Sequence, residues 1–248
     1  MTRSALITGA ASGIGAATVE MLVMGGWQCH ALDVNADGLN KLVSRLDLNG
    51  AGDIKTHVID LSDWEAVESI ALKICSENTI DVLINNAGTA VANTLPDTDR
   101  ETWHRIFDVN VHAMYELCRV VIPHMIQAGQ GVIVNVASVA AIVGIANRAA
   151  YCATKGAVVS LTRALATDHS DDNIRVNAIC PGTTDTGWIA DILSDHPRPD
   201  SAMESMKNRQ LLNRLGRPEE IAHAIKFLID SSFTTGSCLI IDGGMTTT

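Results

Sequence analysis

The chain has 248 residues, a formal net charge of −10, 47% hydrophobic residues and 19% charged ones. This length and composition can bury a sizeable core, and the low aromatic share (4%) suits the close helix–sheet packing of an α/β protein. The acidic balance argues against nucleic acid or an anionic membrane as partner, without deciding the charge of any one pocket.

The six cysteines stand singly in apolar segments with no CxxC pair, and the eight histidines show no HExxH or other ligand spacing. They read as reduced core thiols of a cytoplasmic protein with no bound metal. The opening Met-Thr-Arg-Ser is not a signal peptide, and no apolar run reaches the length of a membrane span. No repeat, low-complexity segment or Pro-rich linker divides the chain, so residues 1–248 read as one domain.

Ala5 to Thr8 reads as a short buried strand, followed by Thr8-Gly-Ala-Ala-Ser-Gly-Ile-Gly15 and a helix from Gly13 to Met24. A glycine-rich turn between strand and helix is an anion cradle, because backbone can approach a pyrophosphate beside free helix N–H groups. It is also compatible with a plain tight turn. Gln28 to Asp33 reads as the second strand. Asp33 lies about twenty residues past Gly13, where a carboxylate accepts the adenosine ribose hydroxyls and repels a 2′-phosphate. No Arg or Lys follows it directly, which favours NAD over NADP. The other reading of Asp33 is an N-cap for a helix over Ala36–Arg45.

A third strand is expected over Ile54–Ile59, ending in Asp60-Leu61, with a helix over Asp63–Glu77 capped by Ser62 or Asp63. A fourth strand, Asp81–Asn85, breaks at Asn86-Ala-Gly88. Alternating strands and helices predict a doubly wound parallel sheet, in which ligands sit beyond the carboxyl ends of the strands. Gly9, Asp33, Asp60 and Asn86 all fall at such ends.

A long helix is expected over Asp99–Gln127, with a kink or break at Pro123. Its polar Asn110, among Ile106, Phe107, Val109 and Val111, needs a hydrogen-bond partner or marks a kink. Gly131 to Ser138 reads as a fifth strand, with Ser138 at its end as a site residue or a turn cap. Tyr151-Cys-Ala-Thr-Lys155 then places a phenol and an ammonium on one face of a helix running to about His169. A nearby cation favours phenolate, so Tyr151 is a candidate acid/base with Lys155 as its tuner. On its own the pair is more often just a solvated helix face. Ile174 to Cys180 is the sixth strand, followed by Pro181-Gly-Thr-Thr-Asp-Thr186. The polar, proline-containing stretch over about 187–214 reads as a mobile lid over a substrate, or as an ordinary surface loop. A helix begins at Pro218, and Ser237–Ile241 is a last strand closed by Asp242-Gly-Gly244, about seven strands in all.

Together, Thr8-Gly-x-x-x-Gly-x-Gly15, Asn85-Asn-Ala-Gly88, Asn110, Ser138, Tyr151-x-x-x-Lys155, Pro181-Gly182 with Thr186, and Asp242-Gly-Gly resemble the short-chain dehydrogenase/reductases across essentially the whole chain. The resemblance implies a single-domain Rossmann fold and hydride exchange between a secondary alcohol or ketone and NAD. Tyr151 would be the acid/base. Lys155 would lower its pKa and bind the nicotinamide ribose, Ser138 would hold the substrate oxygen, and Asn110 would anchor a water linking Lys155 to solvent. Gly9, Ser12, Gly13, Ile14 and Gly15 would form the phosphate turn, and Asp33 would hold the ribose. Asp60 and Leu61 would flank the adenine, and Asn86, Ala87 and Gly88 would line the cleft. Pro181, Gly182, Thr184 and Thr186 would meet the nicotinamide end.

Arg148, three residues before Tyr151, and Arg209 late in the lid stretch resemble a branch containing 2-keto-3-deoxy-L-fuconate-type sugar-acid dehydrogenases and cytosolic 3-hydroxybutyrate dehydrogenases. That implies a small hydroxy acid or sugar acid as substrate, its carboxylate met by these arginines. An Arg paired with an acidic neighbour at a subunit interface is the structural alternative. Polyols and cyclic alcohols are alternative substrates, followed by a 3-oxoacyl-carrier ketone. A non-catalytic dinucleotide-binding regulator is the alternative outside enzymology. The resemblance further implies a homotetramer, assembled through the helices that carry Asn110 and Tyr151.

Overall fold

The structure is a computed structural model and describes residues 2–46, 52–194 and 197–247. Seven parallel strands form one sheet in the order β3-β2-β1-β4-β5-β6-β7. They are β1 (Ser4–Thr8), β2 (Gln28–Asp33), β3 (Asp53–Val58), β4 (Val82–Asn85), β5 (Gly131–Val136), β6 (Ile174–Pro181) and β7 (Cys238–Ile241). The helices are α1 (Gly13–Met24), α2 (Ala36–Arg45), α3 (Trp64–Glu77), α4 (Arg100–Phe107), α5 (Ala113–Ala128), α6 (Ala149–Asp168), α7 (Gly187–Ser194), α8 (Pro199–Asn208) and α9 (Pro218–Asp230).

The central strands are buried on both faces, which is why β1 and β4 read as continuous apolar runs rather than alternating ones. One face packs Leu6, Leu83, Ile133 and Val176 against Val67 and Ala71 of α3, Leu117 and Val121 of α5 and Val158 of α6. The other packs Ile7, Ile84, Val134 and Ile179 against Val19 and Leu22 of α1 and Ile225 and Leu228 of α9. The chain reverses its winding direction between β1 and β4, so a crevice opens above their carboxyl ends.

Most expected elements lie within two residues of their observed bounds. The long helix differs. Its regular winding changes at Asp108–His112, which form a π-helical turn, and not at Pro123, which lies inside α5. Pro123 is exposed, so the carbonyl it leaves unpaired can be hydrated, while Val121, Ile122 and Met125 hold the helix onto the core. Asp33 is not the N-cap of α2. Asn35 is, accepting from the Gly38 N–H at 2.9 Å. The expected lid holds two helices, α7 and α8, and residues 195 and 196 within it lie outside the described residues.

Candidate active site

A cleft of about 510 Å³ runs along the carboxyl edge of the sheet. At its phosphate end, Gly9, Ser12, Gly13 and Ile14 line the turn into α1. Ser12 caps that helix with backbone only, and its first turn carries no acidic residue. The helix end therefore presents free N–H groups and positive potential. Gly13 has φ +53°, and a Cβ there would stand 2.8 Å from Thr186 Cγ2 across the cleft. Gly15 departs from expectation and is absent from the lining: a Cβ there would meet the Gly9 carbonyl oxygen at 2.0 Å, so it serves close packing beneath the turn.

Asp33 enters the cleft from the end of β2. Its Oδ2 accepts the Ala11 N–H and its Oδ1 the Asn35 N–H, both at 2.9 Å. Two backbone donors fix the carboxylate in place, and each oxygen keeps a further lone pair. Asp60 and Leu61 line the next stretch. Asp60 is held below the usual carboxylate pKa, chiefly by hydrogen bonds from Ser62.

Asn86, Ala87 and Gly88 line the middle of the cleft. The Asn86 amide braces the site, donating to the Thr8 and Gly9 carbonyls at 2.9 and 3.1 Å. Pro181, Gly182, Thr184 and Thr186 line the opposite wall, as expected.

Ser138, Tyr151 and Lys155 meet at the far end. Ser138 is both a turn cap, accepting from the Ala140 N–H at 3.1 Å, and a lining residue. The Lys155 ammonium is buried and donates to the Val136 carbonyl at 2.8 Å. Burial pulls its pKa down to about 8. The expected tuning of Tyr151 by Lys155 is corrected here. Burial raises the Tyr151 pKa, opposed by a hydrogen bond from Ser138 and by the positive charge of Arg148. Lys155 Nζ lies over the tyrosine ring, 5.7 Å from its centroid, with its charge directed to the strand carbonyl.

Asn110 is buried but does not line the cleft. Its Oδ1 accepts the Thr89 N–H at 2.7 Å, and its Nδ2 donates to the Thr89 carbonyl at 2.8 Å and the Thr154 hydroxyl at 3.0 Å. That hydroxyl donates in turn to the Tyr151 carbonyl at 2.8 Å. Both amide donors are spent, so the side chain ties the cleft loop to the tyrosine helix.

Arg148 and Arg209 flank the tyrosine end. Unlike Arg3, Arg45, Arg119, Arg214 and Arg217, they form no ion pair among the described residues. Burial pulls the pKa of both Arg148 and Arg209 down, and Arg209 repels Arg148. Half-buried Arg148 and exposed Arg209 therefore line one cavity, and neither has a carboxylate partner among the described residues.

The sequence reading missed Trp188, whose ring lies 6.1 Å from that of Tyr151, and Arg105, which lines the cleft near Asp60. Neither carries a spacing signal. Only the folded chain brings them there.

The cleft's dimensions suit a dinucleotide and a small substrate together. The uncapped helix end fits a pyrophosphate, and the fixed Asp33 fits a ribose diol. Among the described residues no helix is long and apolar enough to cross a membrane.

A family model described as enoyl-(acyl carrier protein) reductase matches residues 9–246. A 2-keto-3-deoxy-L-fuconate dehydrogenase from Xanthomonas campestris is 37% identical over 243 residues, covering 96% of this chain and 78% of that one. A 4-hydroxyisoleucine dehydrogenase solved with NADH is 32% identical with TM-score 0.89, covering 100% of both chains. A gluconate 5-dehydrogenase candidate from Beutenbergia cavernae, solved with NADP at low occupancy, is 32% identical with TM-score 0.92, covering 99% of this chain and 97% of that one. The chain belongs to the short-chain dehydrogenase/reductase family, oxidoreductases that interconvert secondary alcohols and ketones with a nicotinamide dinucleotide.

Proposed function

We propose that this protein is an NAD-dependent dehydrogenase of a small hydroxy acid or sugar acid. The observation that carries the substrate class is the pair Arg148 and Arg209, without carboxylate partners among the described residues and turned to the same cavity as Tyr151. A guanidinium withdrawn from water is costly unless an anion meets it, and its planar fork matches a carboxylate. Among relatives, the Xanthomonas campestris enzyme is named for a keto acid. NAD is favoured by Asp33, whose carboxylate is fixed by two backbone donors and would repel a 2′-phosphate.

A bound nicotinamide supplies the hydride acceptor. The protein's part is proton management and alignment. Ser138 orients the substrate hydroxyl, and ionised Tyr151 takes its proton as the carbonyl forms. Burial makes the phenolate expensive, and Ser138 and Arg148 offset part of that cost. Lys155 stands below the tyrosine ring, where its ammonium can serve the cofactor ribose.

Trp188 gives the tyrosine end an apolar wall, which favours a cyclic or polyol alcohol as the second reading. Arg148→Met separates the two. Losing a charge-assisted hydrogen bond costs about 1.5–3 kcal/mol, or roughly 10- to 150-fold in kcat/KM on a carboxylate substrate. A neutral isostere should be unaffected, and thermal stability should not fall, because the change also removes a repulsion with Arg209. Equal losses on both substrates would remove Arg148 from recognition.

The exposed Tyr115 and Ile126 on α5 support assembly of copies through α5 and α6 into a tetramer. A monomer by light scattering would refute it.

A further inference from the structure

Besides Arg148, Lys155 and Arg209, the cleft carries a fourth cation that neither the glycine-rich turn nor the tyrosine end accounts for. Arg105 stands on the last turns of α4 and is exposed. It lines the cleft with Asp60, Leu61 and Val109, and its charge acts on Asp60. It is not among the arginines that form ion pairs within the described residues. Val109 lies four positions further on, in the π-helical turn, and both residues line the cleft. Together they make an apolar floor from Leu61 and Val109 with a planar guanidinium at its rim.

On the reading that the cleft takes a dinucleotide, we propose that Arg105 is an adenine-binding residue that closes over the flat face of the base. The chemistry of the two partners agrees. A guanidinium is planar, permanently charged and weakly hydrated, and it stacks on π-faces without giving up its in-plane hydrogen bonds. Adenine offers such a face and carries no charge of its own. Asp60 is the anion near Arg105, and the attraction between them draws the guanidinium toward the adenine end. The phosphate turn and Asp33 are already supplied with backbone donors and need no cation from α4. An ammonium in place of Arg105 would keep the charge and lose the flat face.

Isothermal titration calorimetry of the purified full-length chain tests this without turnover. The probes are NAD, ADP-ribose, 2′-phospho-ADP-ribose and nicotinamide mononucleotide, on wild type, Arg105→Ala and Arg105→Lys. Arg105→Ala should weaken NAD and ADP-ribose by about 5- to 30-fold, the worth of one partly desolvated cation–π contact. Nicotinamide mononucleotide, which lacks adenine, should bind both proteins equally. Arg105→Lys should fall between wild type and Arg105→Ala. Because Arg105 is exposed, its variants should keep the wild-type melting temperature, which confirms folding. Unchanged ADP-ribose affinity in Arg105→Ala would overturn the proposal and leave the dinucleotide reading standing. A loss confined to 2′-phospho-ADP-ribose would also overturn it, making Arg105 a phosphate contact. Full recovery in Arg105→Lys would overturn stacking as the mode. Failure of wild type to bind either NAD or ADP-ribose would overturn the dinucleotide reading itself.

Discussion

Replacing Asn110 by leucine removes a brace without removing a group that touches the cleft. The side chain is nearly isosteric, but three hydrogen bonds disappear: two to the Thr89 backbone and one to the Thr154 hydroxyl. Thr154 keeps its donor bond to the Tyr151 carbonyl, so most of the loss falls on the Thr89 N–H and C=O. A buried polar group left unpaired costs about 1–3 kcal/mol, and Thr89 is half-buried, so the lower part of that range applies to each. The added apolar surface of leucine offsets a fraction. The expected destabilisation is about 2–4 kcal/mol, or a fall of roughly 5–15 °C in Tm for a chain of this size. Calorimetric unfolding of Asn110→Leu measures it directly. Thr89 follows Asn86-Ala-Gly88, so NAD affinity should fall as well. Thr154→Val should cost less, and the double variant should cost less than the sum, because both belong to one network. A variant with wild-type Tm and wild-type NAD affinity but low kcat would refute the bracing role and return Asn110 to the chemical step.

Tyr151→Phe removes the proton acceptor and keeps the ring. Turnover should fall by about 10²- to 10⁴-fold while NAD affinity is retained; near-wild-type turnover would remove Tyr151 from proton transfer. His30 gives a pH prediction unrelated to activity. Burial first, then His57 and Lys55, pull its pKa from 6.5 down to about 4. The unfolded chain therefore binds more protons than the folded one across that interval, so stability is lost as pH falls through it. Thermal unfolding between pH 7 and pH 4 should show the decline, and His30→Gln should flatten it. An unchanged slope in that variant would assign the decline to other groups.

The site was legible in sequence where a residue's chemistry and its place at a strand end coincide. The glycine turn, Asp33, Asp60 and Ser138 could be read because the strand pattern fixes which residues reach the carboxyl edge, and Tyr151 and Lys155 because their spacing puts them on one helix face. Asn110 was visible as a polar residue in an apolar run, but not its partner, since Thr89 lies in a distant loop. The direction of the Tyr151 shift was misread because spacing reveals a neighbouring charge and not burial. Burial outweighs the Ser138 hydrogen bond and the Arg148 charge, and the Lys155 ammonium is turned to the Val136 carbonyl. The change in winding was placed at Pro123 because proline is a strong local signal. The π-helical turn at Asp108–His112 is instead where Asn110 reaches Thr89, a contact that no local propensity encodes.

The most direct test of the account is NADH formation by the wild-type enzyme on matched pairs of substrates. Each pair would be a small hydroxy acid or sugar acid and the same skeleton with its carboxylate replaced by a neutral group. The account predicts turnover with NAD and a kcat/KM at least about tenfold higher for the acids, the minimum expected of a guanidinium–carboxylate contact. Equal or higher kcat/KM for the neutral members would contradict it, leaving an alcohol dehydrogenase in which Arg148 and Arg209 do not recognise substrate.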